Sequence, residues 1–383
     1  MHGFPRGKTS IVGAATFGVG KSPGFEAIDL AAHASLRALA DARLAPSDVD
    51  ALFIAQPQDT LAGLTFSEYL GIRPKITDNN RSGGSAFLLQ LAHAALALDA
   101  GLCEVALIAY GSNQATASGA LVQTSRSSAY EAPYKPLRPI SSYALAAARH
   151  MHQYGTTRRQ LAEVAVAARR WAQLNPEAVA RDELSIDSVV NARMVSDPLG
   201  VRDCCLVTDG AAAIVMTRAD RAADRHAKPV HVLGAGAAVT HADISAMPDL
   251  TVTGAAESGA RAYAQAGVKA ADIDVVQVYD AFTINTILFL EDLGFCAKGE
   301  GGAFVEGGRI APGGALPVNT SGGGLSYCHP GMFGLFTLVE SVRQLRGDGG
   351  ERQVRGAELA LAHANGGVLS SQATVILGTA ATL

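Results

Sequence analysis

The sequence predicts an α/β protein made of two similar halves. Three observations carry that expectation. Alanine-rich stretches with helical spacing alternate with short apolar, β-prone runs. One helix–turn–strand segment recurs without gaps, the mark of an internal duplication. The composition, 48% hydrophobic and 17% charged over 383 residues, suits large buried sheets under small-residue helices. A chain this long exceeds one ordinary core, so two packed units are expected.

The recurrence begins at "ALADARLAPSDVDALFI" (Ala38 to Ile54), which matches "AYAQAGVKAADIDVVQV" (Ala262 to Val278). Each copy reads as an amphipathic alanine-rich helix, a D-x-D turn at Asp48/Asp50 or Asp272/Asp274, and four or five apolar residues suited to a buried parallel strand. A second correspondence follows in the same order. "RSGGSAFLLQLAHAALALDAGLCEVALIAYG" (Arg81 to Gly111) and the segments Thr320 to Gly347 and Ala357 to Gly367 each run from a Gly-rich turn to a long helix, a strand and a Gly-ended loop. The halves are placed at 1–230 and 231–383, with mostly parallel sheets. An insertion at about 112–195 interrupts the first half. It opens as a Ser/Pro/Tyr-rich loop and continues as helices from Tyr143, one of them capped by threonine in "TTRRQLAEV". Long loops on such scaffolds usually carry binding. In a duplicated fold the Gly-rich turns of the two halves face each other near the pseudo-twofold axis. Helix N-termini meeting there would favour a carbonyl oxygen that develops negative charge.

A formal net charge of -4 provides no broad basic field for nucleic acid, although a local patch for a phosphate-bearing cofactor stays compatible with it. No apolar run approaches the roughly 18 residues that span a bilayer, and the N-terminus lacks an h-region, so no membrane span and a cytoplasmic location are expected. The five cysteines, 103, 204, 205, 296 and 328, have no metal-like spacing with histidines and read as free thiols; no metal is expected. The clusters "GEGGAF" and "GGRIAPGG" lack the context of a dinucleotide loop and read as turns.

Four segments, Tyr154 to Val166, Met194 to Met216, Val278 to Gly308 and Leu316 to Gly334, together resemble the thiolase superfamily. The likeness is strongest to the sterol-carrier-protein type of thiolase and the thiolase-like aldolases grouped with it, and it covers nearly the whole chain. It implies a duplicated thiolase-like fold of five layers, αβαβα, with the insertion as a loop domain. Two departures stand out. Where the family pattern carries a nucleophilic cysteine this chain reads "NNRSGGS", with Arg81 in its place, and the motif H-D-C-F reads "YDAF", Tyr279 to Phe282. The loop "AHANGG" offers no cysteine either. The histidine of the family's G-H-P motif survives as His329 in "CHPG".

The resemblance therefore assigns catalysis to Tyr279 and His329, with Cys328 and Tyr327 as secondary candidates. It places a coenzyme A thioester, bound as substrate rather than cofactor, against Arg81, Ser82, Gly83, Asp280, Phe282, Asn319, His363 and Gly366. The plainer readings stay open beside these. Tyr279 also fits a structural tyrosine ending a buried strand, and His329 an exposed turn histidine. Arg81 fits either an anion partner at a helix start or solvent, His363 either ligand contact or core packing. Cys328 beside a histidine fits a depressed thiol pKa, but sequence neighbours usually point apart. Cys103, Cys204, Cys205 and Cys296 read as packing residues. Without a thiolate, the reaction expected is retro-aldol cleavage of a 3-hydroxyacyl-CoA, on a steroid or lipid side chain, through a thioester enolate. The alternatives are a thiolase-type acetyl-CoA acyltransferase using Cys328 or a partner chain, and a non-catalytic acyl-CoA or lipid binder. A homodimer and a small partner protein with an OB-fold and zinc ribbon complete what the resemblance implies.

Overall fold

The computed structural model describes residues 3–56, 59–117, 129–222, 224 and 228–383. In chain order the first half comprises β1 (Thr9–Gly20), α1 (Ala27–Asp41), β2 (Ala51–Ile54), α2 (Ala62–Leu70), β3 (Ile76–Asp78), α3 (Ala86–Asp99) and β4 (Ala106–Ser112). The insertion contributes α4 (Ile140–Tyr154), α5 (Arg158–Gln173), α6 (Ile186–Val190), β5 (Met194–Ser196) and β6 (Leu199–Gly200), before β7 (Asp209–Arg218) and α7 (Ala219–Ala222). The second half runs β8 (Val230–Val239), α8 (Ala255–Ala266), β9 (Val275–Val278), α9 (Thr283–Asp292), α10 (Gly301–Phe304), α11 (Gly334–Arg346), β10 (Leu359–Gly366) and β11 (Ser371–Gly378). Residues 118–128 of the inserted loop lie outside the described residues.

Nine strands form one sheet in the order β3-β2-β4-β7-β1-β8-β11-β10-β9. The halves join through β1 and β8, whose pairing covers only Ser10 with His231 and Ile11 with Val230. Helices α3 and α11 pack on each other and on strands of both halves, while α1 covers β1, β4 and β7, and α8 covers β8 and β11. That is the five-layer arrangement, with α3 and α11 as its middle layer. α3 is apolar or small on most faces rather than striped, whereas α11 buries polar and charged side chains, Glu340, Gln344 and Arg346, among its apolar ones.

The expectation of mostly parallel sheets is corrected. β2 runs parallel to β3 and β4, and β9 parallel to β10, but the other neighbours in the large sheet are antiparallel. Helix crossovers through α2, α3 and α11 produce the parallel pairs. β10 and β11 are joined by a short loop, which allows only an antiparallel return. The expected helix from Tyr143 begins at Ile140. Thr157 caps α5 as expected, accepting from Gln160 N at 3.2 Å, while Thr157 N donates to the Gln160 side chain at 2.9 Å.

The recurring D-x-D turn does the same work twice. Asp48 accepts from Ala45 N and Asp272 from Lys269 N, closing a short 3₁₀ turn in each half. Asp50 then accepts from Glu104 N and Val105 N, and Asp274 from Glu358 N and Leu359 N. Each second aspartate thus ties its own strand to the start of its neighbour, β4 or β10. The repeated carboxylates are there to satisfy backbone N–H groups at sheet ends. Among the described residues no helix is long and apolar enough to cross a membrane.

Candidate functional site

β9 is a short buried run, Val275–Val278, and the chain leaves it with side chains alternating between two sides. On one side Val278 N donates to Asn319 Oδ1 at 2.8 Å, and Asp280 accepts from Gly324 N at 2.6 Å. Asn319 itself adopts a left-handed backbone, φ 53°. These bonds pin the segment 319–325, which continues through a single π-helical turn at 323–327 and an extended Cys328 to His329. The helix that the Gly-rich turn was expected to open starts only at Gly334. Tyr279, between the two pinned positions, points the other way and meets His329.

Tyr279 Oη lies 2.8 Å from His329 Nε2 and 3.3 Å from the Gly331 carbonyl. His329 is held by its own backbone, whose N–H donates to Thr208 Oγ1 at 3.0 Å. Both side chains line a cavity of about 380 Å³. Burial raises the Tyr279 phenol well above its ordinary value and pushes the His329 imidazole down to about 4. At neutral pH the pair is therefore a phenol and a neutral imidazole joined by one hydrogen bond.

The wall opposite is built from the first Gly-rich turn and the loop after β10. A methyl group on Gly84 would fall 2.1 Å from the Tyr279 ring and 2.7 Å from the Asn365 carbonyl, and one on Gly366 would fall 1.7 Å from the Ser82 carbonyl. Only glycine allows these backbones and the tyrosine ring to meet. Gly83, Gly84, Asn365, Gly366 and Gly367 all line the cavity, and exposed Arg81 stands at its edge, donating to Gln56 O at 3.4 Å. A more apolar wall comes from Ile140, Tyr143, Leu206, Val207, Phe282 and Met332. Tyr143 and Phe282 are packed ring to ring at 4.5 Å.

The structure thus gathers Tyr279, His329, Arg81, Gly83, Phe282 and Gly366 around one cavity, and sets the other sequence candidates elsewhere. Cys328 is fully buried and off the cavity wall, and burial beside Glu177 raises its thiol well above the ordinary range. The expectation of a depressed thiol is corrected on that ground. Tyr327 turns away too, donating to Glu177 at 3.0 Å. Ser82 bonds Ser85 at 3.1 Å. Asp280 and Asn319 act on the backbone beneath the site rather than facing the cavity, and burial pushes Asp280 up to about 7. His363 is buried between Thr374 and Gln372, at 2.9 and 3.0 Å, with burial lowering it to about 3. Cys328→Ser is expected to leave turnover within about threefold of wild type, because the residue touches nothing in the cavity.

Sequence reasoning missed Gln114, Arg138, Tyr143 and Asn365, which line the cavity, and treated Cys204 and Cys205 as packing. Both cysteines line it as well. Cys204 directs its sulfur at the Gly200 carbonyl, 3.3 Å away, and burial beside Asp203 pushes it up to about 12. Burial raises Cys205 further still, with Cys204 and Asp280 adding to the effect. These are thiols, not thiolates, at neutral pH. Nothing in their local sequence separates them from core cysteines. "CCLV" reads as an apolar run, and long-range backbone bonds bring it to the site: the β-bridge from Cys204 to Phe282 and the bond from Leu206 N to the Gly324 carbonyl at 2.9 Å. Among the described residues no cluster of His, Cys, Asp and Glu could hold a metal ion.

A five-layer αβαβα fold with the glycine turns of both halves, a His-Pro-Gly loop and a cavity between them defines a thiolase-like protein. Residues 236–379 match the family model described as "Thiolase C-terminal domain-like". The chain is 35% identical over 351 residues to an acetyl-CoA acetyltransferase of Methanothermobacter thermautotrophicus, covering 88% of this chain and 91% of that one. It is 34% identical over 389 residues to the 17-hydroxy-3-oxo-4-pregnene-20-carboxyl-CoA lyase of Mycobacterium tuberculosis, covering 95% and 98%. A solved structure described as the Ltp2-ChsH2(DUF35) aldolase superposes with a TM-score of 0.89 at 32% identity, over 98% of both chains. The chain belongs to the thiolase superfamily, and the similarity to these relatives runs through both halves of the fold.

Proposed function

We propose that this chain is an acyl-CoA carbon–carbon lyase that works without a cysteine acyl-enzyme. The observation that carries the reading is the 2.8 Å contact between Tyr279 Oη and His329 Nε2 in a cavity whose two thiols are both held protonated. A 3-hydroxyacyl-CoA lying there gives its hydroxyl proton to the Tyr279 oxygen while Tyr279 passes its own to His329 Nε2. The Cα–Cβ bond breaks, Cβ becomes a carbonyl, and the bonding pair forms the thioester enolate. Returning the proton to Cα completes a shorter acyl-CoA. The relay avoids a free phenolate, which the raised Tyr279 pKa disfavours. Similarity to the M. tuberculosis lyase supports a steroid or related polycyclic acyl group, and the apolar wall of Tyr143 and Phe282 suits such a body.

The test is release of an aldehyde or ketone together with the shortened acyl-CoA from a panel of 3-hydroxyacyl-CoA thioesters. Absence of both products, with and without a DUF35-type partner, overturns the proposal. The pH profile checks the same relay. With His329 at about 4, kcat/KM at pH 5.5 is expected to keep nearly all of its plateau, about 97%, where an ordinary histidine near 6.5 would leave about a tenth. Activity falls as pH drops through the folded pKa, because a protonated imidazole cannot accept.

Cys205 on the cavity wall favours one second reading, acyl transfer to sulfur, as the similarity to an acetyltransferase would have it. Cys205→Ala separates the two, abolishing acyl transfer and sparing the lyase. Likeness to the Ltp2-ChsH2(DUF35) aldolase supports a small second protein that completes the coenzyme A site, where Arg81 would meet phosphate. We also propose a homodimer paired through β3, an edge strand of the sheet. The mass of the purified assembly in solution reads both.

A further inference from the structure

The proposed cleavage places negative charge on the thioester oxygen, and the Tyr279 hydroxyl has only one proton, engaged in the relay. A second donor is required on the facing wall, and the hydrogen-bond chain behind Asn365 identifies one. Gln372 Nε2 donates to the Leu369 carbonyl at 3.1 Å. A carbonyl can only accept, so this bond fixes which end of the Gln372 amide is nitrogen. The same nitrogen donates to Asn365 Oδ1 at 3.2 Å, and Gln372 Oε1 accepts from His363 Nε2 at 3.0 Å. His363 must then carry its proton on Nε2 and accept from Thr374 Oγ1 through Nδ1, at 2.9 Å. Every link is buried, with Gln372, His363 and Thr374 at 0% exposure and Asn365 at 3%.

The chain leaves one orientation for Asn365. Its oxygen faces Gln372, so its nitrogen faces the cavity side, donating one proton to Tyr143 Oη at 2.8 Å. Tyr143 passes its own proton to the Gly367 carbonyl at 3.2 Å. The amide nitrogen has a second proton, and it has no protein acceptor among the described residues. A buried donor proton without an acceptor is unfavourable, which favours a ligand atom in that place. Asn365 stands on the cavity wall next to Gly84, the residue that also abuts the Tyr279 ring.

We propose that the free N–H of Asn365 donates to the thioester oxygen as the enolate forms, and that Gln372 and His363 are positioning residues that hold the amide in that orientation. This rests on the lyase reading for its substrate, but not for its geometry. It also gives His363 a role without ligand contact: a neutral imidazole that sets the direction of the chain.

The test combines turnover with the ultraviolet enolate band of bound acetoacetyl-CoA, which reports oxygen polarisation without any cleavage. Asn365→Asp keeps the bond from Gln372 and loses the N–H. It is expected to remove the band and lower kcat by about 10²–10³-fold with KM within about threefold. Gln372→Met, which frees the amide to rotate, is expected to weaken the band and to lower kcat by about tenfold. Asn365→Ala repeats the first measurement should the aspartate disturb folding. An Asn365→Asp or Asn365→Ala protein with an undiminished band overturns the proposal, whatever its turnover. A wild-type enzyme that cleaves no 3-hydroxyacyl-CoA, yet shows a band that depends on Asn365, overturns the lyase reading alone. A wild-type enzyme without the band overturns the role of Asn365.

Discussion

Tyr279→Phe is expected to lower kcat on a cleavable 3-hydroxyacyl-CoA by about 10²–10⁴-fold, the range that one proton-transferring side chain supplies. The substitution removes a single oxygen and keeps the ring, which packs edge-on against Phe333 at 5.9 Å. Folding should therefore survive. The hydroxyl's loss leaves His329 Nε2 without its partner at 2.8 Å, a stability cost of about 1–3 kcal/mol. Single-turnover rates together with a thermal melt separate the two effects. A merely structural tyrosine would show the stability change with turnover within a few-fold. A silent binder would show unchanged affinity for acyl-CoA and no turnover to lose.

The second large effect is expected beneath the site. Glu340, on α11, accepts from Arg352 Nε and Nη2, both at 3.0 Å, in a two-pronged pair with each residue at most 6% exposed. Its Oε1 also accepts from Thr320 Oγ1 at 2.7 Å, and Thr320 in turn accepts from Gln277 Nε2 of β9 at 2.8 Å. The carboxylate thus ties the start of the chain segment that carries His329 to the strand that leads into Tyr279. Glu340→Ala strands a buried guanidinium and should cost about 3–5 kcal/mol, read as a shift of the urea midpoint at unchanged m-value. Turnover at a temperature where the variant remains folded should fall as well, since Thr320 loses its anchor. Intact stability would mean that Arg352 finds solvent instead.

Acid should act on the same core from another direction. His329 and His363 have native pKa values of about 4 and about 3, below the unfolded 6.5. Between those limits the unfolded chain binds more protons, so both contributions to stability are fully present above about 6.5 and are lost as pH falls towards 4 and 3. Asp280, raised to about 7, works oppositely and favours the native state more as pH falls towards 3.8. The pH profile of activity is therefore to be taken beside a melt at each pH.

The duplication was legible because it is local. Each copy of the D-x-D turn satisfies backbone groups within its own half, so the same chemistry recurs at the same spacing. Tyr279 and His329 were legible as motif positions, since "YDAF" and "CHPG" stand in chain order within long family-like segments. The cavity walls contributed by Tyr143, Cys204, Cys205 and Asn365 were not, because each lies in a stretch whose local pattern is that of an ordinary helix, apolar run or loop.

From sequence alone came the repeated α/β layout, the absence of cysteine where a thiolase would place its nucleophile, and Tyr279 and His329 as the residues standing at the family's motif positions. The layout follows from spacing and side-chain identity, and the other two from the family resemblance that the motif residues carry. Only the tertiary structure decided that Cys328 and Tyr327 face away, that two other thiols line the site in protonated form, and that His363 speaks to the cavity through Gln372 and Asn365. Those outcomes depend on burial and on contacts between residues far apart in the chain. Desolvation and hydrogen-bond direction are properties of the packed neighbourhood, and no local pattern encodes them.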